Sequence, residues 1–229
     1  MNNYPEVVTE RFDGANFHIN YCLKFMKKYL KGNVLEIGAG CGSFTRNYIN
    51  EEIFSLTLTD TDDKNILILK NKYKNNPKIK ITQQNINNIE QKFDTIIYLH
   101  VLEHIKNDKN EINNATKKLN KNGVLIIMVP AHQKIYGNLD KAVGHFRRYE
   151  KDFFKQKFEF LELTSFKFLD SLGYFLYYLN KIFFKKEKFP SRFKIFIWDK
   201  LFTPLSFIAD FILRYKFGKC ILAIYKKSN

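Results

Sequence analysis

The run Val34-Leu35-Glu36-Ile37-Gly38-Ala39-Gly40-Cys41-Gly42 decides the fold. A short apolar stretch, Val34 to Ile37, feeds straight into three alternating glycines, and a helix is expected from about Ser43. Strand, tight turn and helix in that order make a ligand-binding unit. Glycine lets the backbone turn sharply and lets a ligand approach it closely. The helix start adds free N–H groups and the positive end of a dipole. A nicotinamide-binding loop spaces its glycines as GxGxxG. Here the third glycine comes one residue early, giving GxGxG, with Ser43 after it. Glu36, two residues before the first glycine, suits a cationic ligand better than a pyrophosphate.

Working outward, Ile53 to Thr59 alternates, is rich in β-formers and ends at Asp60. Asn65 to Tyr73 reads as a helix, Ile79 to Thr82 as a short strand and Phe93 to Leu99 as a buried one. Asn110 to Leu119 is helical, and Asn122-Gly123 turns into a strand over Val124 to Val129, stopped by Pro130. Upstream, Phe17 to Leu30 reads as a helix with a basic face, closed by Gly32 as its cap. Strands alternating with helices predict parallel βαβ units. The continuous apolar runs Thr95–Leu99 and Val124–Val129 suit strands buried on both faces.

After Pro130 the texture changes. A polar loop, Ala131 to Arg148, holds His132 and His145, followed by a short helix over Glu150 to Phe158. Phe160 to Phe168 reads as a strand, Leu169 to Phe217 as a basic, aromatic, mostly helical segment, and Lys219 to Lys226 as the last strand. The expectation is one α/β domain over 1–229: a cofactor-binding core over 1–168, a helical insertion over 169–217, and the last strand over 218–229.

The 229 residues, 45% hydrophobic and 16% aromatic, supply ample core and exclude a disordered chain. Cys22, Cys41 and Cys220 form no CxxC pair, so neither a disulfide framework nor a zinc site is expected. The opening residues Met1 to Glu6 carry no signal-peptide pattern, and the longest charge-free apolar stretches, such as Ser171 to Asn180, fall short of a membrane span. The expected compartment is the cytoplasm, with the inner membrane face as the alternative. The formal charge of +15 comes from 32 Lys and 6 Arg against 23 acidic residues, a Lys- and Asn-rich mix that fits an AT-rich genome.

Asp60 lies 18 residues past Gly42, where a carboxylate can accept both ribose hydroxyls of an adenosine. From Val34 to Val129 the chain resembles class I S-adenosylmethionine-dependent methyltransferases of the type 11 group. That resemblance implies a Rossmann-like, doubly wound, seven-stranded and mostly parallel sheet whose last strand is antiparallel. It also implies that Glu36, Gly38, Gly40 and Gly42 cradle the amino-acid end of S-adenosylmethionine and that Asp60 holds its ribose. Asn85 and Ile86 would read the adenine, with Asn85, where many members have Asp, accepting through its carbonyl.

The block Phe93 to Ile105, with Leu102-Glu103-His104, is similar to the family's fourth-strand segment, whose end (here His100) lines the cofactor. It contains no Asn/Asp-Pro-Pro-Tyr motif and no catalytic Cys, which argues against base methylation of nucleic acid. Val129-Pro130-Ala131-His132 and Gly144-His145-Phe146-Arg147-Arg148-Tyr149 resemble a bacterial subgroup with a VPAH…D…GHxRRY loop at the acceptor side. His132 and His145 are the candidate bases, since an oxygen acceptor needs one near neutral pH. Tyr136, Arg147 and Arg148 are the candidate acceptor contacts, guanidinium groups being matched to phosphate or carboxylate. His100-x-x-Glu103-His104 resembles the metal-binding Glu-x-x-Glu-His of some quinol and RNA-end enzymes, but position 100 is His. No resident metal is expected.

From Lys181 onward there are 12 basic and 3 acidic residues, a net of +9, interleaved with Phe. Over 181–217 this predicts a lid that packs its aromatics on the core, a peripheral membrane contact, or aromatics that stack on single-stranded RNA. The expected reaction is methyl transfer to a small-molecule or lipid-linked acceptor, saccharide or quinol-like, at oxygen or nitrogen. An RNA methyltransferase is the main rival; a nicotinamide-dependent oxidoreductase and a non-enzymatic membrane adaptor stand behind it.

Overall fold

The computed structural model describes residues 12–183 and 189–228. The opening residues read for a signal, and 184–188 of the basic run, lie outside them. The strands are β1 (Gly32–Ile37), β2 (Ile53–Thr59), β3 (Ile79–Thr82), β4 (Phe93–Leu99), β5 (Leu119–Pro130), β6 (Leu161–Leu169) and β7 (Cys220–Lys227). The helices are α1 (Asn16–Leu23), α2 (Thr45–Tyr48), α3 (Asp63–Tyr73), α4 (Asp108–Lys118), α5 (Asn138–Ala142), α6 (Lys151–Lys155), α7 (Ser171–Phe183), α8 (Arg192–Ile197) and α9 (Thr203–Ile212). A π-helical turn, Trp198–Phe202, joins α8 to α9.

The seven strands form one sheet in the order β3-β2-β1-β4-β5-β7-β6. Strands β1 to β5 pair in parallel, and β7 runs antiparallel to both β5 and β6. Neighbouring residues along a strand point to opposite faces. Leu35, Ile96, Leu125 and Ala223 therefore bury one face while Val34, Ile97, Ile126 and Leu222 bury the other. This is why the central strands read as unbroken apolar runs. The order places the carboxyl ends of β1 to β6 along one edge, where open α/β sheets bind ligands.

The expected strands match closely; two features near the first loop differ. Helix α1 stops at Leu23, a 3₁₀ turn over Lys27–Tyr29 follows, and Gly32 opens β1 instead of capping a helix. Its φ of 72° is left-handed, and a side chain there would strike the Asp94 carboxylate that accepts from the Asn33 N–H. The helix after the glycine loop is a single turn, whose Thr45 and Tyr48 share the face that meets Glu36.

Asp170, just past the end of β6, is fully buried with a left-handed φ of 63°. Its carboxylate pairs with Lys219 at 2.9 Å and accepts from Trp198 Nε1, Ser206 Oγ and the Gly173 N–H. Asp210, on α9, accepts from Tyr21 Oη of α1 and from the Asp170 and Ser171 N–H groups. The insertion is thus tied to α1, β6 and β7 through polar contacts. Burial works to raise the Asp170 carboxyl, but Lys219, His18 and the hydrogen bonds outweigh it and hold it at about 2. A carboxyl held below its ordinary range stabilises the fold above about pH 4 and stops doing so as pH falls toward 2. Asp170→Asn, which leaves Lys219 unpaired, is expected to cost about 3 kcal/mol in urea unfolding near neutral pH. The gap to wild type should close as the pH falls below about 3.

Candidate active site

The three loop glycines all adopt left-handed φ: 67° at Gly38, 57° at Gly40 and 76° at Gly42. A side chain on Gly38 would collide with Val101 at 2.6 Å, whereas the space over Gly40 is open for 4 Å. That gap beside a bare backbone is where a ligand can lie against the loop. Asp60 ends β2 with one carboxylate oxygen accepting from the Gly40 N–H at 2.8 Å. The other accepts from the Asp62 N–H and Asn65 Nδ2. The same carboxylate expected to hold a ribose therefore also locks the loop onto β2.

Glu36 is buried beneath the loop, its Oε2 accepting from Thr45 Oγ1 and Tyr48 Oη, both at 2.6 Å. Burial raises its carboxyl to about 7 against these hydrogen bonds. Two contacts on the loop were invisible in the sequence. Asp13 accepts from Ser43 Oγ at 2.5 Å and pairs with Arg46 at 2.9 Å, bringing the chain before α1 over the turn. Lys72, on α3, donates to the Cys41 and Gly42 carbonyls. Neither pairing has a local sequence signal, since each joins residues about 30 apart.

At the expected adenine position the structure departs from the reading. The Asn85 carbonyl accepts from the Asn87 and Asn88 N–H groups as the cap of a 3₁₀ turn, which leaves its Nδ2 as the group available to a ligand. Ile86 is fully buried in the core and offers a ligand no surface.

The residues read for the acceptor gather where β4 and β5 end, beside His100, read as lining the cofactor. His100 and His132 both leave their strands with left-handed φ, 59° and 64°. Such conformations cost energy and cluster at functional sites. His100 is a third exposed, its Nδ1 3.5 Å from Glu103 Oε1. Glu103 has no exposed surface, and neither of its oxygens has a hydrogen-bond partner among the described residues. His145 Nε2 lies 3.8 Å from the same oxygen, and the His104 ring stands edge-on 4.7 Å from that of His145.

Asp140, buried on α5, fixes this arrangement. It accepts from His145 Nδ1 at 2.8 Å, Arg148 Nε at 2.9 Å, Tyr177 Oη at 2.6 Å and the Gly137 N–H. Burial works to raise its carboxyl; the His145, Arg148 and Tyr177 contacts prevail and hold it at about 2. An ionised Asp140 can only accept, so His145 Nδ1 carries the hydrogen and Nε2 is its free end. Asp140 is the D of the loop pattern read above, a signal present in the sequence but not taken as a site residue.

The remaining candidates separate. His132 sits in an aromatic box, stacked on Phe168 with Tyr174 and Phe217 beside it, and burial lowers its pKa. Arg148, expected to hold an anionic acceptor, is only 4% exposed and is satisfied inside the protein by Asp140, the Ala131 carbonyl and the Tyr177 ring. Arg147 pairs with Asp108 at 2.5 Å, as does Tyr149 Oη at 2.8 Å. Tyr136 Oη donates to the His145 carbonyl. Glu103, His104 and His145 bring three donor atoms within 4.8 Å of one another, as do His18, His100 and Cys220. The first set has the donor chemistry of a divalent-cation site.

Comparison with known proteins accords with this geometry. The family model for a methyltransferase domain matches residues 18–167. No curated protein matches the sequence. Among solved structures, the N-methyltransferase NodS from Bradyrhizobium japonicum in complex with S-adenosyl-L-homocysteine aligns with a TM-score of 0.61 at 17% identity, covering 100% of this chain and 94% of that one. Coclaurine N-methyltransferase bound to N-methylheliamine and S-adenosylhomocysteine gives 0.60 at 13% identity, over 93% and 72%. An S-adenosylmethionine-dependent methyltransferase from Clostridium acetobutylicum gives 0.56 at 14%, over 95% and 92%. The glycine cradle with its open face, Asp60 closing it and Glu36 beneath fit the family's cofactor: this chain belongs to the methyltransferase domain family and is an S-adenosylmethionine-dependent enzyme.

Proposed function

We propose that the enzyme methylates a nitrogen or oxygen of a small-molecule or lipid-linked acceptor, seated between His100 and His145 where β4 and β5 end. The observation that carries this reading is the line Asp140–His145–Glu103: an oriented imidazole whose free nitrogen faces a buried carboxylate. Two structural neighbours, NodS and coclaurine N-methyltransferase, are N-methyltransferases, and the second was solved with a small-molecule amine, which supports such an acceptor.

S-adenosylmethionine supplies a methyl group on a sulfonium, open to in-line displacement. The glycine loop and Asp60 would hold it, with Glu36 drawing its cationic amino group. Most of the rate advantage then comes from alignment of donor and acceptor. The acceptor proton would pass to His145 Nε2. The imidazolium so formed is held at both nitrogens, by Asp140 at Nδ1 and by the Glu103 charge near Nε2. His100 and Tyr136 flank this position, while Arg147, Arg148 and Tyr149 keep the loop in register.

Three measurements test these assignments. Asp60→Ala is expected to weaken S-adenosylhomocysteine binding by about 1–3 kcal/mol in calorimetry; unchanged affinity would remove Asp60 from the cofactor site. The raised Glu36 carboxyl stabilises the cofactor-free protein while protonated, and that contribution fades as pH rises through about 7. A cationic cofactor favours the carboxylate, so its affinity should climb between about pH 6 and pH 8 with release of a proton, and Glu36→Gln should flatten the profile. In a methyl-transfer assay over amine and hydroxyl acceptors, His145→Ala should lose roughly a hundredfold in kcat with cofactor KM unchanged, and His132→Ala far less. Full activity of His145→Ala, or activity abolished by a chelator and restored by a divalent metal, would overturn the base assignment.

A further inference from the structure

Two helices of the insertion are built inside out. In α9 the buried residues are Thr203, Ser206 and Asp210, while Leu205, Ile208, Phe211 and Ile212 face solvent. In α7 the buried residues are Ser171 and Gly173, while Phe175, Tyr178, Leu179, Ile182 and Phe183 are exposed. Positions three, four and seven apart lie on one helix face, so each set forms a single outward stripe. A helix on a water-facing domain ordinarily turns its apolar stripe to the core. Phe193, Phe196 and Leu201 extend the surface across α8 and the π turn. Among the described residues, thirteen of the nineteen exposed large apolar side chains fall within 171–213, so this is a patch and not scatter.

The charges around it are one-sided. Among the described residues of 171–217, both acidic side chains, Asp199 and Asp210, are buried, whereas Arg192, Lys200, Arg214 and Lys216 are exposed. Phe17 of α1 joins the edge, half-exposed beneath Lys200 Nζ at 4.5 Å. A second copy of this chain is a poor occupant, because each copy carries +15 and the rims would repel. No helix among the described residues is long and apolar enough to cross a membrane. An apolar stripe rimmed by cations, on helices that do not span, has the form of an interfacial contact.

We propose that the α7–α9 face docks on an anionic lipid surface, its aromatics entering the headgroup boundary and its Lys and Arg meeting lipid phosphates. The face is coupled to the acceptor loop. Tyr177, on the same helix as the exposed Phe175 and Tyr178, donates to Asp140, and Lys181 donates to the Lys134 carbonyl. Docking would therefore set the loop against the bilayer, so that the acceptor is taken from the lipid surface. That last step rests on the reaction proposed above; the docking does not.

The test is co-sedimentation of the full chain, loaded with S-adenosylhomocysteine, with phosphatidylcholine vesicles and with mixed phosphatidylcholine–phosphatidylglycerol vesicles. Binding is expected to the mixed vesicles only, weakening with added salt. The triple variant Ile208→Ser/Phe211→Ser/Ile212→Ser should lose roughly tenfold in vesicle partitioning, with its thermal shift on S-adenosylhomocysteine unchanged. Should it fail to fold, Phe193→Ser/Phe196→Ser repeats the measurement from α8. Absence of binding to the mixed vesicles, equal binding by the folded variant, or a concentration-dependent dimer that the variant abolishes without vesicle binding would overturn the proposal. Vesicle binding without methyl transfer to any acceptor would strike the proposed reaction and leave the docking face standing.

Discussion

The Asp170–Lys219 pair is the constraint on which the outer part of the molecule depends. It lies with no exposed surface on the carboxylate side at the point where the chain leaves the sheet for the insertion, and Lys219 lies where it returns. A buried carboxylate needs a partner, and its remaining lone pairs need donors. Trp198, Ser206 and Gly173 provide them, which fixes α7, the π turn and α9 around one charge. Apolar contacts of Phe207, Leu176, Ile195 and Trp198 complete the anchoring on the same side. The remaining apolar side chains of α7 and α9 form the outward stripes.

Asp140 repeats the device in the loop after β5. One ionised carboxylate takes donors from the loop (His145, Arg148, Gly137) and from the insertion (Tyr177). Together with the buried Ala131, Ile135 and Val143, this hub and the Asp108 contacts to Arg147 and Tyr149 hold the shape of the loop after β5. Glu103 is the exception in the network. It is buried and close to three imidazoles, yet without a hydrogen bond among the described residues. Burial works to raise its carboxyl, but His100, His145 and His104 outweigh it and hold it below its ordinary range, so the group is kept as a carboxylate among the imidazoles.

Much of this was legible in the sequence, for physical reasons. Parallel strands buried on both faces announce themselves as apolar runs, which is why β4 fell where expected, while the β-formers of β2 and β3 marked those strands nearer the sheet edge. The glycine loop was legible because left-handed backbone restricts the residue type: Gly38, Gly40 and Gly42 are all left-handed. Helix ends near the first loop were not, because the chain passes from α1 through turns into a 3₁₀ turn and leaves α2 at Ile49 with neither Gly nor Pro to mark the end. The roles of Arg148 and Ile86 misled for a related reason. Residue type says what a side chain can do, and only the fold says which way it points. Arg148 is spent on Asp140, and Ile86 on the core.

The insertion marks the limit of pattern reading most clearly. Its hydrophobic periodicity correctly gives helices, but periodicity does not tell the core-facing side from the solvent-facing side. The lid expectation rests on the ordinary rule that apolar stripes turn inward. What reverses the rule here is Ser206 and Asp210, small and polar, spaced so that both reach Asp170 or its neighbours from one face of α9. Thr203, which donates to the Trp198 carbonyl, joins them on the buried face, and Phe207 packs beside them against the core. The opposite face, with Leu205, Ile208, Phe211 and Ile212, is left for whatever lies outside.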